Sequence, residues 1–277
     1  MRTREAAPTA ASVSKSPHRG AGLLAVYNAL YWPYLLVSCV VLFAPALLIF
    51  LLTFGWDKKR RLLHSYTSWW GAHYLAWAPL AGVRVEGREN ALGAEPCVYV
   101  SNHLSMVDIL AVFAIRQRYR WVSKFENFLV PFLGWNMALN GYVPLRRGHL
   151  PSILRMVRRC QTCIAEGHSL FVFPEGTRSA DGKIKSFHRG AFWIATRNKI
   201  PVVPVLIEGT DRVLAKRSFR IVPQRVTVRV LEPIHPASAG YDDRRLRDLV
   251  HARMIEEQAR VRGDVPSGGS ELTSRAA

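Results

Sequence analysis

His103 and Asp108, in the run Asn102-His103-Leu104-Ser105-Met106-Val107-Asp108, bring an imidazole and a carboxylate to a short fixed spacing directly after an apolar stretch. A carboxylate that holds one ring nitrogen leaves the other to act as a general base, the group that takes a proton from a hydroxyl as it attacks. The spacing restricts where the two can meet. Five residues along one helix would put the side chains about 140° apart at 3.6 residues per turn, so His103 must lie in a loop and Asp108 must begin the helix. With Ser105 as N-cap, Asp108 falls in the first turn, where the helix dipole favours an anion and the carboxylate can point back at the ring. Ser105-x-x-Asp108 is also a capping box, a reading that needs no catalysis.

A second constellation follows an apolar strand. Ser169–Phe173 runs into Pro174-Glu175-Gly176-Thr177-Arg178, a tight turn with a carboxylate, a hydroxyl, a guanidinium and a glycine where backbone can approach a ligand. An arginine fork beside a hydroxyl and free amides suits a phosphate dianion. Beyond it, Lys183, Lys185 and His188 either add cations to that anion site or form a solvated loop. A third strand end, Asn140-Gly141-Tyr142-Val143-Pro144-Leu145-Arg146-Arg147-Gly148, again closes on cations. One strand end thus carries a base and two carry arginines, and ligands of open α/β sheets bind at the carboxyl ends of strands.

These loops need a scaffold, and the chain after Val83 supplies one. Cys97–Ser101, Arg120–Ser123, Tyr142–Leu145, Ser169–Phe173, Pro201–Ile207 and Arg225–Leu231 read as strands. Met106–Gln117, Pro151–Glu166, Gly190–Arg197 and Asp242–Arg262 read as helices. Such alternation predicts an α/β fold, a single mixed sheet with flanking helices over residues 82–263. Residues 1–20 and 264–277, rich in Ala, Ser, Gly and Pro, are expected to be disordered tails.

Residues 21–81 form the expected membrane-associated helical segment. Between Ala21 and Trp56 there is no Asp, Glu, Lys or Arg, a run beyond the ~18-residue threshold for a membrane span. Tyr34 to Trp56 as helix measures roughly 33 Å, which favours a single span. Basic residues at both flanks, and Pro33 and Pro45 within, keep a re-entrant hairpin open. The cluster Lys58-Lys59-Arg60-Arg61 places the large C-terminal domain on the cytosolic side of the membrane by the positive-inside rule. Leu62–Leu80, with Trp69, Trp70, Tyr74 and Trp77, reads equally as a packed helix or an interfacial one.

The net charge of +18 and pI near 10.4 make an anionic partner natural. Because the hydrophobic content is concentrated before residue 82 and no Lys/Arg-aromatic repeat appears, membrane lipid rather than nucleic acid is the expected partner. The cysteines give no disulfide framework. Cys160 and Cys163 have half-zinc-site spacing without a second pair, and a structural role is expected, with no metal. No GxSxG elbow occurs, which argues against a serine hydrolase.

At these residues the chain resembles the glycerolipid acyltransferase family, and within it the bacterial 1-acyl-sn-glycerol-3-phosphate acyltransferases. The resemblance rests on Asn102-His103-x-x-x-x-Asp108, the block Gly141–Arg147, Phe173–Ser179, and Val203-Pro204-Val205 with Glu208-Gly209-Thr210, in that order. Lys124 in Val122–Glu126, and Pro131–Trp135, resemble the family's middle segment. The resemblance implies acyl transfer from acyl-CoA or acyl-carrier protein, used as cosubstrate with no cofactor, to the free hydroxyl of a lysophospholipid. It implies His103 as base and Asp108 as its orienter. Glu175, Gly176, Thr177 and Arg178 become the acceptor-binding turn, with Arg178 on the phosphate and Lys124 and Lys183 as further binding candidates. Arg147 aligns best with the family arginine of the Gly141 block. Arg146 stands where an acidic or polar residue is common, which leaves the choice between the two open and allows another acceptor such as lyso-ornithine lipid. A non-catalytic protein that binds anionic lipid through Arg178 and Lys183 is the rival from another class. The expected oxyanion donors are backbone amides near Ser105.

Overall fold

The computed structural model describes residues 18–77, 82–91 and 96–263. The apolar leader is one helix, α1 (His18–Thr53), which turns back through residues 54–60 into α2 (Arg61–Trp77). Residues 18–20, expected in the N-terminal tail, belong to α1, since the apolar run behind them carries the helix back. The rest of that tail, the tail after Gly263 and the expected boundary near residue 81 lie outside the described residues.

The remaining elements alternate as the sequence pattern implies. They are β1 (Val83–Glu86), β2 (Val98–Ser101), α3 (Val107–Val112), β3 (Tyr119–Lys124), α4 (Leu133–Leu139), β4 (Val143–Leu145), α5 (Leu150–Ala165), β5 (Ser169–Val172), α6 (Gly190–Asn198), β6 (Val202–Glu208), α7 (Thr210–Val213), β7 (Val226–Val230) and α8 (Asp243–Arg262). Seven strands form one mixed sheet in the order β1-β7-β6-β2-β5-β3-β4. Among the described strands only the β6–β7 pairing is antiparallel, so β2 to β6 all point the same way and deliver their carboxyl ends to one edge.

Side chains alternate across this sheet with period two. On β2, Tyr99 joins Phe171, Trp121, Val203 and Val205 on the face covered by α1, α2 and α3, while Val98 and Val100 join Leu170 and Val202 beneath α5, α6 and α8. Both faces are covered, which is why the central strands read as unbroken apolar runs. Cys160 and Cys163 sit buried on α5 in the second layer.

Helix α1 does not stand clear of this body. Asn28 and Trp32 bond to the loop before β7, Phe43 packs edge-on against Phe132 and Trp135 beside α4, and Ala46 is buried against α2. α2 is the packed helix of the two readings: Leu63, Trp70, Tyr74 and Leu75 are buried, and among its described large apolar side chains only Leu62 and Trp69 are exposed. The opposite face of α1, from Leu23 to Leu52, leaves a row of leucines and valines exposed. By length and composition α1 could cross a bilayer.

Candidate active site

Asn102 directly follows β2 and is fully buried. Its side-chain amide replaces a missing ladder rung, donating to the Ile207 carbonyl at 2.9 Å and accepting from the Ile207 amide at 2.8 Å. This fixes where the chain leaves the sheet. His103 therefore stands in the loop, and Asp108 in the first turn of α3, as the spacing demands.

The two meet. His103 Nδ1 lies 2.7 Å from Asp108 Oδ2, with Asp108 0% and His103 16% exposed. An ionised carboxylate can only accept, so the ring carries its proton on Nδ1 and turns Nε2 outward. The imidazole stacks on Phe173, centroid to centroid 4.1 Å at 16°, which fixes its plane. Asp108 Oδ2 also accepts from the amides of Leu104 (2.6 Å) and Ser105 (2.9 Å). α3 starts at Val107 with Met106 as its N-cap, so the expected cap at Ser105 falls one residue early: Ser105 Oγ accepts from Val107 N–H at 3.3 Å, not from Asp108 N–H, and only the Asp108-to-Ser105 half of the capping box forms. One carboxylate thus binds the amides that precede the helix and holds the ring. It also removes the expected oxyanion donors. The Leu104 and Ser105 amides are engaged by Asp108, because a buried anion must gather the nearest N–H groups.

The turn after β5 stands beside the imidazole. The Ser179 amide donates to the His103 carbonyl at 2.7 Å, and the His103 amide to Glu175 Oε1 at 3.1 Å. Glu175 is therefore a prop of the loop that carries His103. It is only 4% exposed, and its Oε2 has no partner among the described residues. Burial pushes its carboxyl up to about 7, against the opposing pull of the His103 and Lys185 amides and the Lys185 ammonium.

Gly176 takes φ +71°, and a Cβ there would lie 3.0 Å from His188 Nε2 and 4.0 Å from Arg147 Nε. Arg147 is thereby placed against the turn, whereas Arg146 lies over the Phe125 ring at 4.1 Å. Thr177 is exposed and Arg178 half-buried, and the Arg178 carbonyl accepts from Lys185 Nζ (3.2 Å) and Lys216 Nζ (3.1 Å). Arg147, Arg178, Lys185, His188 and Lys216 accordingly gather around one bend. Lys124 is instead exposed and paired with Glu126 at 3.5 Å, and Lys183 is exposed with its amide on Asp181.

Four contributors escaped the sequence reading of the site. Asn102 and Phe173 stand inside the motifs, where residue type alone gives them no role. Lys216 follows α7 with no motif around it. Thr210, fully buried, donates its hydroxyl to Asp108 Oδ1. Thr210 closes the Glu208-Gly209-Thr210 block at the carboxyl end of β6, which gives its place but no role.

Fold and site together define an α/β protein with a buried His–Asp pair and a cation-lined turn at the carboxyl edge of a mixed sheet. The family model described as Acyltransferase matches residues 82–208, which include every one of the residues just described except Lys216 and Thr210. The chain is 37% identical over 192 residues to a Brassica napus protein named 1-acyl-sn-glycerol-3-phosphate acyltransferase BAT2, chloroplastic, covering 66% of this chain and 54% of that protein. It is 31% identical to the Bos taurus 1-acyl-sn-glycerol-3-phosphate acyltransferase alpha, over 70% of this chain and 69% of the other. Among solved structures, the 1-acyl-sn-glycerophosphate acyltransferase PlsC of Thermotoga maritima superposes with a TM-score of 0.74 at 25% identity, covering 88% of this chain and all of that one. The chain belongs to the acyltransferase family. It spans little more than half the length of the plant relative.

Proposed function

We propose that the protein transfers a fatty acyl group from a thioester, acyl-CoA or acyl-carrier protein, to the free hydroxyl of 1-acyl-sn-glycerol-3-phosphate, giving phosphatidic acid in phospholipid biosynthesis. The observation that carries this reading is the Asp108-held imidazole of His103 standing beside the Glu175–Arg178 turn. His103 Nε2 takes the acceptor proton as the hydroxyl oxygen bonds to the thioester carbonyl carbon. Collapse of the tetrahedral adduct breaks the carbon–sulfur bond, and the imidazolium returns its proton to the leaving thiolate. Arg178 and Arg147 hold the acceptor phosphate as guanidinium forks, with Lys185 adding charge. The names of the relatives support the acceptor class.

Attachment to the inner membrane, catalytic domain on the cytosolic side, belongs to the same reading. Asn28 and Ala46, both held against the body, stand about 27 Å apart along α1, close to the hydrocarbon thickness. A helix that keeps those contacts cannot leave the domain behind on one side while crossing alone. Because α1 is one unbroken helix, this supports neither a hairpin within residues 21–56 nor a lone span, but a helix lying along one side of the membrane with its exposed face in the lipid. Leu129, Val130, Leu133 and Trp135, exposed beside α1, continue that face.

The test is an acyl-transfer assay on membranes carrying the protein, with labelled acyl-CoA or acyl-carrier protein offered to lysophosphatidate and to lyso-ornithine lipid. Transfer to lysophosphatidate that vanishes in a folded, membrane-bound His103→Ala variant is expected. Transfer that survives His103→Ala, or that requires the phosphate-free acceptor, overturns the proposal.

A further inference from the structure

Asp108 has two carboxylate oxygens, and the His–Asp relationship uses one. Oδ2 carries His103 Nδ1 and the amides of Leu104 and Ser105, while Oδ1 is met by the hydroxyl of Thr210. Asp108, Ser105 and Thr210 are all sealed from solvent, so no water stands ready to replace that hydroxyl.

The chain takes trouble to bring Thr210 there. It is the first residue of α7, directly after β6, which lies next to β2 in the sheet. Gly209 makes the bend at φ +90°, and a Cβ there would collide with the Arg225 carbonyl. The Asn102 clamp on Ile207 sets the relative height of the β2 and β6 ends, and hence of the loop bearing His103 and of α7. Two strand ends are thus locked together just where a hydroxyl from one meets a carboxylate from the other.

We propose that Thr210 is a positioning residue for the His103–Asp108 pair, its hydroxyl holding Oδ1 so that Asp108 stays ionised and His103 keeps its proton on Nδ1. The inference rests on His103 being the base. A hydrogen bond to a buried carboxylate stabilises the charged form, and its loss raises the proton affinity of the coupled pair as a whole. The pair then gains its inactivating proton at higher pH than before. The charged groups disposed around it are Glu175, Arg178, Lys185 and His188 after β5, Arg147 after β4, and Asp211 and Arg212 beside Thr210. None of them changes when only the Thr210 hydroxyl is removed.

Thr210→Val keeps the shape and removes the hydroxyl, and Thr210→Ser keeps the hydroxyl and removes a methyl. Full-length variants are assayed in membranes across pH 5 to 9 with lysophosphatidate and acyl-CoA or acyl-carrier protein, beside His103→Ala. A lost bond to a charged group lowers kcat roughly ten- to a hundredfold. The valine variant should show this fall with acceptor KM within about twofold and the acidic limb of kcat moved up by about half a unit or more. Serine should restore both kcat and the limb. A valine variant with wild-type kcat overturns the proposal, as does a fall in kcat with an unmoved limb, which marks mere loosening of the fold. Should valine fail to fold, Thr210→Ala must show the same limb shift. Activity retained in His103→Ala defeats the reading beneath the inference, whereas a dead His103→Ala beside a normal Thr210→Val defeats the inference alone.

Discussion

Asn28 on α1 grips both backbone groups of Ile221: its Oδ1 accepts from the Ile221 amide at 2.7 Å and its Nδ2 donates to the Ile221 carbonyl at 3.0 Å. The same loop is held by Trp32 Nε1 on the Phe219 carbonyl (2.8 Å), by Ser105 Oγ on the Leu214 carbonyl (2.7 Å) and by Lys216 on the Arg178 carbonyl. Segment 214–221 is therefore a strap between the apolar helix and the loops that carry His103 and Arg178. Asn28→Ala leaves two part-buried backbone groups unpaired, at a cost of roughly 1–3 kcal/mol. Trypsin should then cut faster at Lys216, Arg217 or Arg220, with a lower melting temperature in detergent. Cleavage at the wild-type rate would show that the strap is held without Asn28.

Glu175 should make stability fall as pH rises. Its carboxyl is raised from 4.5 to about 7 by burial, so between those values the unfolded chain releases a proton that the folded chain keeps. Unfolding then releases protons, and folding stability declines across the window and levels off above it. Glu175→Gln removes the group that must ionise while keeping an acceptor for the His103 amide. From pH 5 to pH 8 the wild type should lose about 1–3 kcal/mol more than the variant, read from urea melts at the two values. Parallel pH profiles for the two proteins would show that the carboxyl titrates normally.

The two arginines after β4 should separate. Arg147 abuts Gly176, and Arg146 covers Phe125 at the protein surface. A guanidinium on an acceptor phosphate contributes about 1.5–3 kcal/mol, so Arg147→Ala should raise lysophosphatidate KM roughly tenfold or more. Arg146→Ala loses a cation–π contact of about 0.5–1 kcal/mol at an exposed site and should leave KM within about twofold. Equal effects in steady-state kinetics would contradict this division of roles.

Much of this arrangement was legible in the sequence, for identifiable reasons. Helical geometry alone forced His103 into the loop and Asp108 onto α3, because side chains 140° apart cannot meet. The β-branched runs marked β2, β5 and β6 because strands buried on both faces cannot alternate with polar residues. β1, only Val83–Glu86 with Arg84 and Glu86 alternating with its two valines, sits at the sheet edge and carries too little apolar signal to stand out. α4 is too short to stand out: it is seven residues long, contains Gly134 and follows Phe132 at a positive φ of 60°. Thr210 and Lys216 reach the site through the β6–β2 adjacency, and strand order is a property of the assembled sheet that no local pattern encodes. The choice between Arg146 and Arg147 likewise waited on which of two neighbouring side chains the turn at Gly148 aims inward.

Gly176 gives the last test, because two independent constraints fall on one atom. Its φ of +71° is strained for any residue with a Cβ, at about 1–2 kcal/mol. The added carbon would also lie 3.0 Å from His188 Nε2 and 3.1 Å from its Cδ2. His188 cannot retreat as a whole, since its amide is bound to the Pro174 carbonyl at 2.9 Å, so the ring must swing away from the turn. Gly176→Ala should therefore remain folded with a melting temperature a few degrees lower, while kcat/KM falls about tenfold through a weakened cationic bend. His188→Ala makes room for the methyl, and the double variant should regain part of the loss relative to the product of the two single effects, as coupled neighbours do. Strict multiplication of the two defects in a double-mutant cycle would show that the glycine serves the backbone turn alone.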